Sequence, residues 1–382
     1  MHKQSVSNSI VKKLNLNTVF SYVYAQGPVS VRDISSSLNM SVPTVTQNLK
    51  ALNERNLIVP EGTSDSTGGR KARIYGVNTR AQSAIGLDIT RHDISLVILN
   101  LMGEAIFQIK VDREFNDARA YYQSIGLLVE KAVQKAHVVP ESIAGVGISL
   151  PAIVSADNAY TTNSDPLDSK VVHASDFTAF IPYPCLLFND ANAGGYAEFW
   201  SDHPTDGTPK QKSLVYLSVS KTVGGSLMIN GSMYLGDEQH CAEFGHMTLV
   251  PEGRACYCGQ RGCTYAYINT RILSDACGGD LGAFFSALSS GMNESIERIW
   301  DEYLYYLALT INNLRSAYDC EIIIGGYLGR YMQPHLAALR KRLAACNIFE
   351  HTGDYVRVCS QPLEISAIGA ALTFLHHFMR GI

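Results

Sequence analysis

The sequence predicts an α/β protein, with an N-terminal winged helix-turn-helix followed by a larger α/β body. Three observations support this prediction. Residues 1–60 contain three apolar patterns at helical spacing, and two short apolar runs follow them. From residue 84 onward, apolar runs of strand length alternate with helical patterns. Within the body, three cysteines fall in eight residues, which indicates a specialised site.

Size and composition set the outer limits of the prediction. The chain has 382 residues, 46% of them hydrophobic and 17% charged, as in soluble globular proteins with more than one domain. No window approaches the ~20 apolar residues of a membrane helix, and the N-terminus lacks the apolar run of a signal peptide. Six of the nine cysteines are scattered, which fits a reducing compartment. We expect a cytoplasmic protein with no membrane partner.

Charge is distributed unevenly along the chain. Residues 1–80 contain ten Lys and Arg but only four Asp and Glu, whereas the whole chain has a net charge of −4. A basic segment on an acidic body suggests that the segment meets a polyanion. Chance surface composition also accounts for a difference of this size.

The N-terminal segment reads as three short helices. The first ends at Gly27-Pro28. Ser30 and Asp33 then form a capping box for a second helix, Asn39 suits its left-handed end, and Ser41 caps the third. In the first helix the residues that recur at helical spacing are Ile10, Leu14, Val19, Phe20 and Val23; in the third, the predicted buried stripe is Val42, Val45, Leu49 and Leu52.

The third helix predicts contacts with double-stranded DNA. Its polar residues near the start suit base edges in the major groove, with Gln47 reading adenine. Residues 57–59 and 72–77 predict two strands joined by a wing whose basic end can enter a minor groove. The alternative is a three-helix packing module with an ordinary hairpin. The candidate DNA-contacting residues are Thr44, Thr46, Gln47, Lys50, Arg70 and Lys71.

The body begins with a strand-rich pattern. Residues 84–88, 94–100 and 105–111 predict three strands, and residues 118–136 predict a helix. The run GVGISLP is a further strand, followed by a turn-rich segment over 158–170. Residues 213–219 predict another strand, 220–226 a glycine-containing loop, and Asn230-Gly231 the type I′ turn of a hairpin.

A histidine and three cysteines are candidate metal ligands. His246 precedes Cys256, Cys258 and Cys263, and the intervening glycines let the loop fold back on itself. One imidazole and three thiolates complete a tetrahedral zinc site, which leaves no open position for catalysis. We expect structural Zn²⁺. The alternative is three inert buried thiols.

Several short motifs, in this order, resemble those of one family. The block GGRKARIYGVN is similar to the wing of ROK (repressor, ORF, kinase) regulators of the xylose and N-acetylglucosamine type. Asn189-Asp190-Ala191-Asn192 and Glu243-x-Gly245-His246 resemble the family's sugar-site motifs. The resemblance implies a two-lobed actin-like, ribonuclease H-like sugar-kinase fold. The expected domains are 1–80, a first lobe over 81–190 completed by a helix over 364–382, and a second lobe over 191–363 with the zinc site and a dimerisation surface.

The same resemblance implies a sugar site. In the family's kinases the residue matching Asp190 is the general base, so Asp190 is here a vestigial base. Asp190 also suits the N-cap of a helix running to Trp200, and the two roles are compatible. The other implied ligands include His246, with one ring nitrogen on zinc and the other on the sugar, and Tyr265, where the family usually has Glu. The full set is Asn163, Asn189, Asp190, Glu243, His246 and Tyr265.

The phosphate loops depart from the family pattern. Bulky residues replace glycines over 88–92, and only two glycines remain over 220–226. Close backbone approach to ATP phosphates requires glycine, so we expect no enzyme activity. The predicted function is a sugar-responsive repressor that binds operator DNA and a sugar or sugar phosphate as a homodimer or tetramer. The alternatives are an active ATP-dependent sugar kinase with a DNA-binding domain, and a DNA-binding protein whose body only oligomerises. Gly325-Gly326 resembles the adenosine-side loop, or is a plain strand-to-helix turn.

Overall fold

The computed structural model describes residues 8–63, 72–163, 167, 171–201, 212–291, 293–360 and 364–382. A small N-terminal unit precedes a body that contains two five-stranded sheets. Within the described ranges, no helix is long and apolar enough to cross a membrane.

Three helices and a three-stranded sheet form the N-terminal unit. In chain order they are α1 (Asn8–Gln26), β1 (Val29–Ser30), α2 (Val31–Leu38), α3 (Val42–Glu54), β2 (Ile58–Thr63) and β3 (Arg73–Val77). β3 lies between β1 and β2 and is antiparallel to both. The sequence did not predict β1, because two residues are too short to show alternation. The predicted wing began at residue 61, but β2 extends to Thr63; the rest of the wing, residues 64–71 with Arg70 and Lys71, lies outside the described residues.

Local hydrogen bonds set the turn between α2 and α3. The Ser30 side chain accepts a hydrogen bond from the N–H of Asp33, whose carboxylate accepts one from the N–H of Ser30. The predicted capping box is therefore confirmed. Asn39 ends α2 with φ at 51°, and the Ser41 side chain accepts from the N–H of Thr44 at the start of α3. Each helix end in this turn thus has the predicted partner.

The first body sheet has a mixed topology. Its region contains β4 (Ser83–Ile89), β5 (Asp93–Asn100), β6 (Ala105–Asp112), α4 (Arg119–Lys135), β7 (Ile143–Leu150), β8 (Ile153–Val154), β9 (Thr161–Asn163), α5 (Ala174–Thr178) and β10 (Cys185–Asn189). The strand order is β10-β7-β4-β5-β6, with β4, β7 and β10 parallel. β8 and β9 form a separate two-stranded ribbon. The carboxyl ends of β4, β7 and β10 therefore meet at one edge.

The second body sheet has the order β13-β12-β11-β14-β15. Its strands are β11 (Leu214–Val219), β12 (Val223–Ile229), β13 (Ser232–Met233), β14 (Glu321–Gly325) and β15 (Val356–Val358). The helices of this region are α6 (Asp190–Ser201), α7 (Tyr265–Ile268), α8 (Arg271–Ser274), α9 (Leu281–Ser290), α10 (Glu294–Tyr318), α11 (Gly326–Met332) and α12 (Leu336–Cys346).

Helices α6 and α13 (Ile365–Arg380) lie between the two sheets. One hydrophobic cluster joins residues of β4 and β5, of β11, β12 and β14, and of both helices. α13 approaches β4 so closely that a Cβ on Gly86 would lie 1.9 Å from the carbonyl oxygen of Ala367. The glycine therefore permits helix-on-sheet contact that any side chain would block.

The predicted loop over residues 220–226 is shorter in the structure. β12 begins at Val223, and Gly224 and Gly225 pair with β11. A Cβ on Gly225 would lie 2.3 Å from the ring of Phe244. Strand packing therefore explains why glycine is required at Gly225, and the prediction of a loop there was wrong.

Candidate sugar and metal sites

A cavity of about 330 Å³ lies beside α6 and α13, between elements of the two sheets. Two of the predicted ligand residues, Asn189 and Glu243, line one part of it. Further polar lining comes from Asn158, Asn192, Tyr196, Ser232, Gln239, Thr373, His376 and Arg380. Concave sites with a few converging polar groups are the usual form of small-molecule sites.

Asn189 is fixed by hydrogen bonds on both sides of its amide. Its amide nitrogen donates to the carbonyl oxygen of Ala152 at 3.1 Å, and its amide oxygen accepts from the N–H of Asn192 at 2.9 Å. Asn189 is therefore the residue that caps α6. The prediction that Asp190 is the N-cap was wrong, because Asp190 is the first helical residue and its carboxylate accepts from the adjacent N–H of Ala191 instead of from the next turn of the helix.

The carboxyl groups of Asp88, Asp190 and Glu243 lie close enough to interact electrostatically. Burial, with the nearby charges of Asp88 and Glu243, raises the pKa of Asp190 to about 7. Burial also raises the pKa of Asp88 to about 6, opposed by the hydrogen bond from the Ser149 hydroxyl at 2.9 Å. The pKa of Glu243 is raised mainly by burial. The sequence analysis did not single out Asp88, whose signal is a carboxylate at the end of an apolar strand.

His246, Cys256, Cys258 and Cys263 form a group that can hold a metal ion, because their ligand atoms all lie within 4.8 Å of one another. The sulfurs of Cys258 and Cys263 are 3.8 Å apart, and Nδ1 of His246 is 3.9 Å from the sulfur of Cys256. A tetrahedral zinc ion with its usual bond lengths places two sulfurs about 3.8 Å apart, and sulfur and nitrogen about 3.6 Å apart. The group therefore fits zinc.

The second ring nitrogen of His246 has a partner that the sequence analysis missed. Nε2 lies 3.0 Å from the hydroxyl of Tyr257, whereas the sequence analysis assigned that nitrogen to a sugar. The Tyr257 ring packs edge-on against Tyr265, with centroids 4.7 Å apart. Tyr265 thus supports the ring that orients the histidine. A tyrosine between the first two cysteines is the signal for this partner.

The structure separates the predicted ligand residues into two groups. Asn189 and Glu243 line the cavity, whereas Asp190, His246 and Tyr265 are not among its lining residues. The Asn163 side chain lies outside the described part of the chain. The backbone of Asn163 pairs with Ile153, which does line the cavity.

The far end of the cavity is formed by a polar stripe on α13 that the sequence analysis missed. Thr373, His376 and Arg380 recur at helical spacing in an otherwise apolar helix, and that pattern was the available signal. Met379, between His376 and Arg380, and Ile382, just after the helix, belong to the hydrophobic core of the N-terminal unit. One helix therefore contributes to both the cavity and that core.

The candidate DNA-contacting face of α3 is solvent-exposed. The side chains of Thr46, Gln47 and Lys50 are exposed, and Thr44 is half-buried. The Thr46 hydroxyl donates to the carbonyl oxygen of Val42 in its own helix, which leaves its methyl group on the outer surface. The face thus presents one amide, one ammonium group and one methyl group.

Comparisons with known proteins agree with this architecture. The pattern of the ROK family matches residues 84–376. The xylose repressor of Bacillus spizizenii is 27% identical over an alignment that covers 69% of this chain and 68% of the relative. The crystal structure of a ROK family transcriptional regulator, a homologue of the Escherichia coli MLC protein, covers 97% of both chains at 16% identity with a TM-score of 0.73.

A ROK hexokinase from Thermus thermophilus shares the fold of the body alone. It covers 76% of this chain and 97% of its own, at 23% identity and a TM-score of 0.60. The body is therefore a mixed α/β fold of the sugar-kinase type. Because the family pattern spans more than half of the sequence, the chain belongs to the ROK family.

Proposed function

We propose that this protein is a sugar-responsive transcriptional repressor of carbohydrate genes. Residues 1–80 form a winged helix-turn-helix, and the lobes over 81–190 (with 364–382) and 191–363 form a ligand-sensing body. The single observation that carries the proposal is the double role of α13. Its polar stripe lines the cavity, and its last residues enter the core of the N-terminal unit. A ligand in the cavity can thereby bias the position of the DNA-binding unit.

Two hydrogen bonds strengthen this connection. The Asn17 side chain of α1 donates to the carbonyl oxygen of Met379 at 3.1 Å, and the Arg55 guanidinium donates to the backbone oxygen of Ile382 at 3.3 Å. Both partners lie at the chain end that follows the polar stripe of α13. A shift of α13 on ligand binding therefore has a direct contact through which to move α1 and the end of α3. Only different ligand affinity in the two positions can drive such a shift.

The DNA contacts follow from the exposed face of α3. We assign base reading to Gln47 and to the methyl groups of Thr44 and Thr46, and phosphate contact to Lys50. Arg70 and Lys71 contribute from the wing. In a homodimer, two such units match half-sites about 34–36 Å apart or at multiples of that spacing, so ligand-driven movement weakens binding by changing the fit.

The alternative function is an ATP-dependent sugar kinase, and local hydrogen bonds argue against it. The hydroxyl oxygen of Thr90 accepts from the N–H of His92 at 3.3 Å and from that of Asp93 at 3.1 Å. Phosphate loops work because such N–H groups are free to donate to the nucleotide. These donors are already occupied by a side chain of the protein.

In the turn that resembles the family's adenosine-side loop, backbone N–H groups are likewise already bonded to protein side chains. The N–H of Gly326 donates to the Tyr216 hydroxyl at 3.3 Å, and the N–H of Tyr327 donates to the Ser220 hydroxyl at 3.0 Å. The Tyr327 side chain of α11 also lies near the ammonium group of Lys110 of β6 and helps to raise its pKa. A nucleotide has to displace all three contacts. We therefore propose that the body binds a sugar without transferring phosphate.

The metal group is proposed to be a structural Zn²⁺ site. His246, Cys256, Cys258 and Cys263 hold the ion, which leaves no position for substrate. The ion fixes the loop between Glu243 and Tyr265, and so the position of the Glu243 carboxylate at the cavity. Elemental analysis is expected to find one zinc per chain, lost in Cys256→Ala and retained in Cys346→Ala, whose exposed cysteine lies outside the group.

The proposal is tested with ligand and DNA together. A thermal-shift panel of neutral sugars, including xylose, identifies binders, and each binder is then added to a fluorescence-anisotropy titration of the protein on its own promoter DNA. We expect weaker DNA binding at saturating sugar and fixed salt. If operator affinity is unchanged by every sugar that binds, the repressor mechanism is wrong. If ATP is turned over with any hexose, the kinase alternative replaces it.

A further inference from the structure

The two ends of the cavity differ in charge. Of the twenty described residues that line it, Glu243 is the one acidic residue and Arg380 is the one Lys or Arg. Glu243 lies with Asn189 in the part that the proposed function assigns to sugar hydroxyls. Arg380 is the last residue of α13, in the stripe that also contains His376 and Thr373. The cavity therefore offers a hydroxyl-binding end and a cationic end.

No ion pair compensates Arg380 within the described ranges of the chain. The basic neighbours of Arg380 on α13 are His376 and His377. Burial, together with the charges of Arg380 and His377, lowers the pKa of His376 to about 4. His376 is therefore neutral at physiological pH, with Nδ1 hydrogen-bonded to the Tyr196 hydroxyl. Lys13 of α1 lines a second cleft together with Arg380. Among the described residues, these neighbours of Arg380 are basic, and no side-chain carboxylate forms an ion pair with it.

The distance between the two ends exceeds the length of one sugar ring. Asn192 and Tyr196 lie along one face of α6, which Asn189 caps, and the seven steps from Asn189 to Tyr196 span about 10 Å at the helical rise. His376 continues this line through its contact with Tyr196, and Arg380 lies one helical turn further along α13. A ring held at Asn189 and Glu243 therefore leaves the cationic end for a substituent.

We propose that the effector is an anionic carbohydrate, whose hydroxyls bind at Asn189 and Glu243 and whose phosphate or carboxylate binds the guanidinium of Arg380. This inference rests on the proposed function and specifies its ligand class. Guanidinium groups bind both anions through paired N–H donors. Asn192 and Thr373 line the space between the two ends and supply neutral hydrogen-bonding groups.

An anion bound at Arg380 also acts on the contact between α13 and the N-terminal unit. Arg380 is shared between the cavity and the cleft against α1, where Lys13 is the other cation. An anion on Arg380 reduces the repulsion between these two groups. A neutral sugar leaves this repulsion unchanged, so an anionic ligand adds an electrostatic effect at the contact between α13 and α1 to the shift of α13 that sugar binding itself produces.

Calorimetric titration of the full-length protein tests the proposal. The probes are glucose and xylose, each beside its terminal monophosphate, with glucuronate as the carboxylate arm and inorganic phosphate alone. The variants are Arg380→Gln, Arg380→Lys and the matched control Arg298→Gln, which removes an exposed arginine of α10. A charge-assisted hydrogen bond of about 1.5–3 kcal/mol corresponds to a roughly 10–100-fold difference in affinity.

We expect one anionic sugar to bind about 10–100-fold more tightly than its neutral parent. Arg380→Gln should abolish that preference while keeping the neutral sugar's affinity, which also verifies that the variant is folded. Arg380→Lys should restore it in part, and Arg298→Gln should keep it.

Equal affinity for neutral and anionic forms, or an anion preference that survives in Arg380→Gln, overturns the inference and leaves sugar sensing intact. Binding of inorganic phosphate alone, with no gain from an attached sugar, also overturns it. If no sugar of either kind binds while promoter DNA does, the sugar-sensing function itself fails.

Discussion

The carboxylate of Glu198, on α6, lies 2.7 Å from the guanidinium of Arg357, on β15, and none of the Glu198 side chain is exposed. The other carboxylate oxygen accepts from the N–H and the hydroxyl of Ser360, at 2.7 and 2.9 Å. Arg357 also contacts Glu321 at 3.4 Å. Both oxygens of the Glu198 carboxylate therefore have partners, and these contacts connect α6 to the second sheet.

Glu198→Ala should strongly destabilise the protein. It leaves the largely buried Arg357 without its main partner and the Ser360 N–H without an acceptor. Removing one partner of a buried ion pair typically costs about 3–5 kcal/mol. Because Arg357 keeps its contact with Glu321, we expect the free energy of unfolding to fall by about 3 kcal/mol. Denaturant unfolding measures it.

The control for Glu198→Ala is the exposed pair of Arg254 and Glu302. Their side chains are 43% and 54% exposed, so Glu302→Ala should cost at most about 1 kcal/mol. Similar losses in the two variants would show that burial of Glu198 does not determine the effect.

Stability should fall as pH rises from about 4 to about 7. Burial raises the pKa of Asp190 from 3.8 to about 7, so in this window the folded state holds a proton that the unfolded chain has released. The free energy of unfolding then decreases with pH, by up to about 1.4 kcal/mol per pH unit for one proton. Asp190→Asn should flatten this slope in ligand-free protein.

Unfolding titrations between pH 4 and 8 provide the measurement. Asp275→Asn, which removes an exposed carboxylate after α8, is the control and should leave the slope unchanged. Asp88 retains a raised pKa of about 6, so some slope should persist in Asp190→Asn below that pH. A wild-type stability that increases between pH 5 and 7 would contradict the prediction.

Local signals in the sequence predicted the caps of α2 and α3, most of the longer strands and the cysteine cluster. These depend on spacing that a chain shows by itself, as with Ser30 and Asp33 or the hairpin at Asn230-Gly231. The contacts of Glu198 with Arg357, and of His246 with Tyr257, were not predicted. The first joins residues 159 positions apart, and nothing in the local sequence fixes which helix faces which strand.

Tyr257→Phe should weaken metal binding without removing a ligand. The tyrosine hydroxyl lies 3.0 Å from Nε2 of His246 and so orients the ring whose other nitrogen faces the thiols. Removing such a supporting hydrogen bond typically lowers metal affinity about 10–100-fold. Competition with a chromophoric chelator measures the effect.

Tyr305→Phe, at an exposed tyrosine of α10, is the control for Tyr257→Phe and should behave as wild type. Retention of metal content at saturating zinc would show that the Tyr257 variant is folded. An unchanged zinc affinity in Tyr257→Phe would mean that the histidine is positioned by the loop alone.

Two variants of α3 should affect DNA binding in different ways. Gln47→Ala removes the proposed contact with adenine, so it should cost about 1–3 kcal/mol on the operator and relax specificity at one position. Lys50→Ala removes a phosphate contact. It should weaken binding to all sequences and reduce the slope of log affinity against log salt by about 1. The weak pairing of Lys50 with Glu54, at 3.8 Å between exposed side chains, does not prevent this contact.

Anisotropy titrations at several salt concentrations, on operator and on scrambled DNA, separate the two effects. Lys341→Ala, at an exposed lysine of α12 in the body, is the matched control and should leave both affinity and slope unchanged. If Lys341→Ala lowered the slope as much as Lys50→Ala, DNA would contact the body as well. If Gln47→Ala weakened scrambled and operator DNA equally, α3 would bind the backbone rather than the bases.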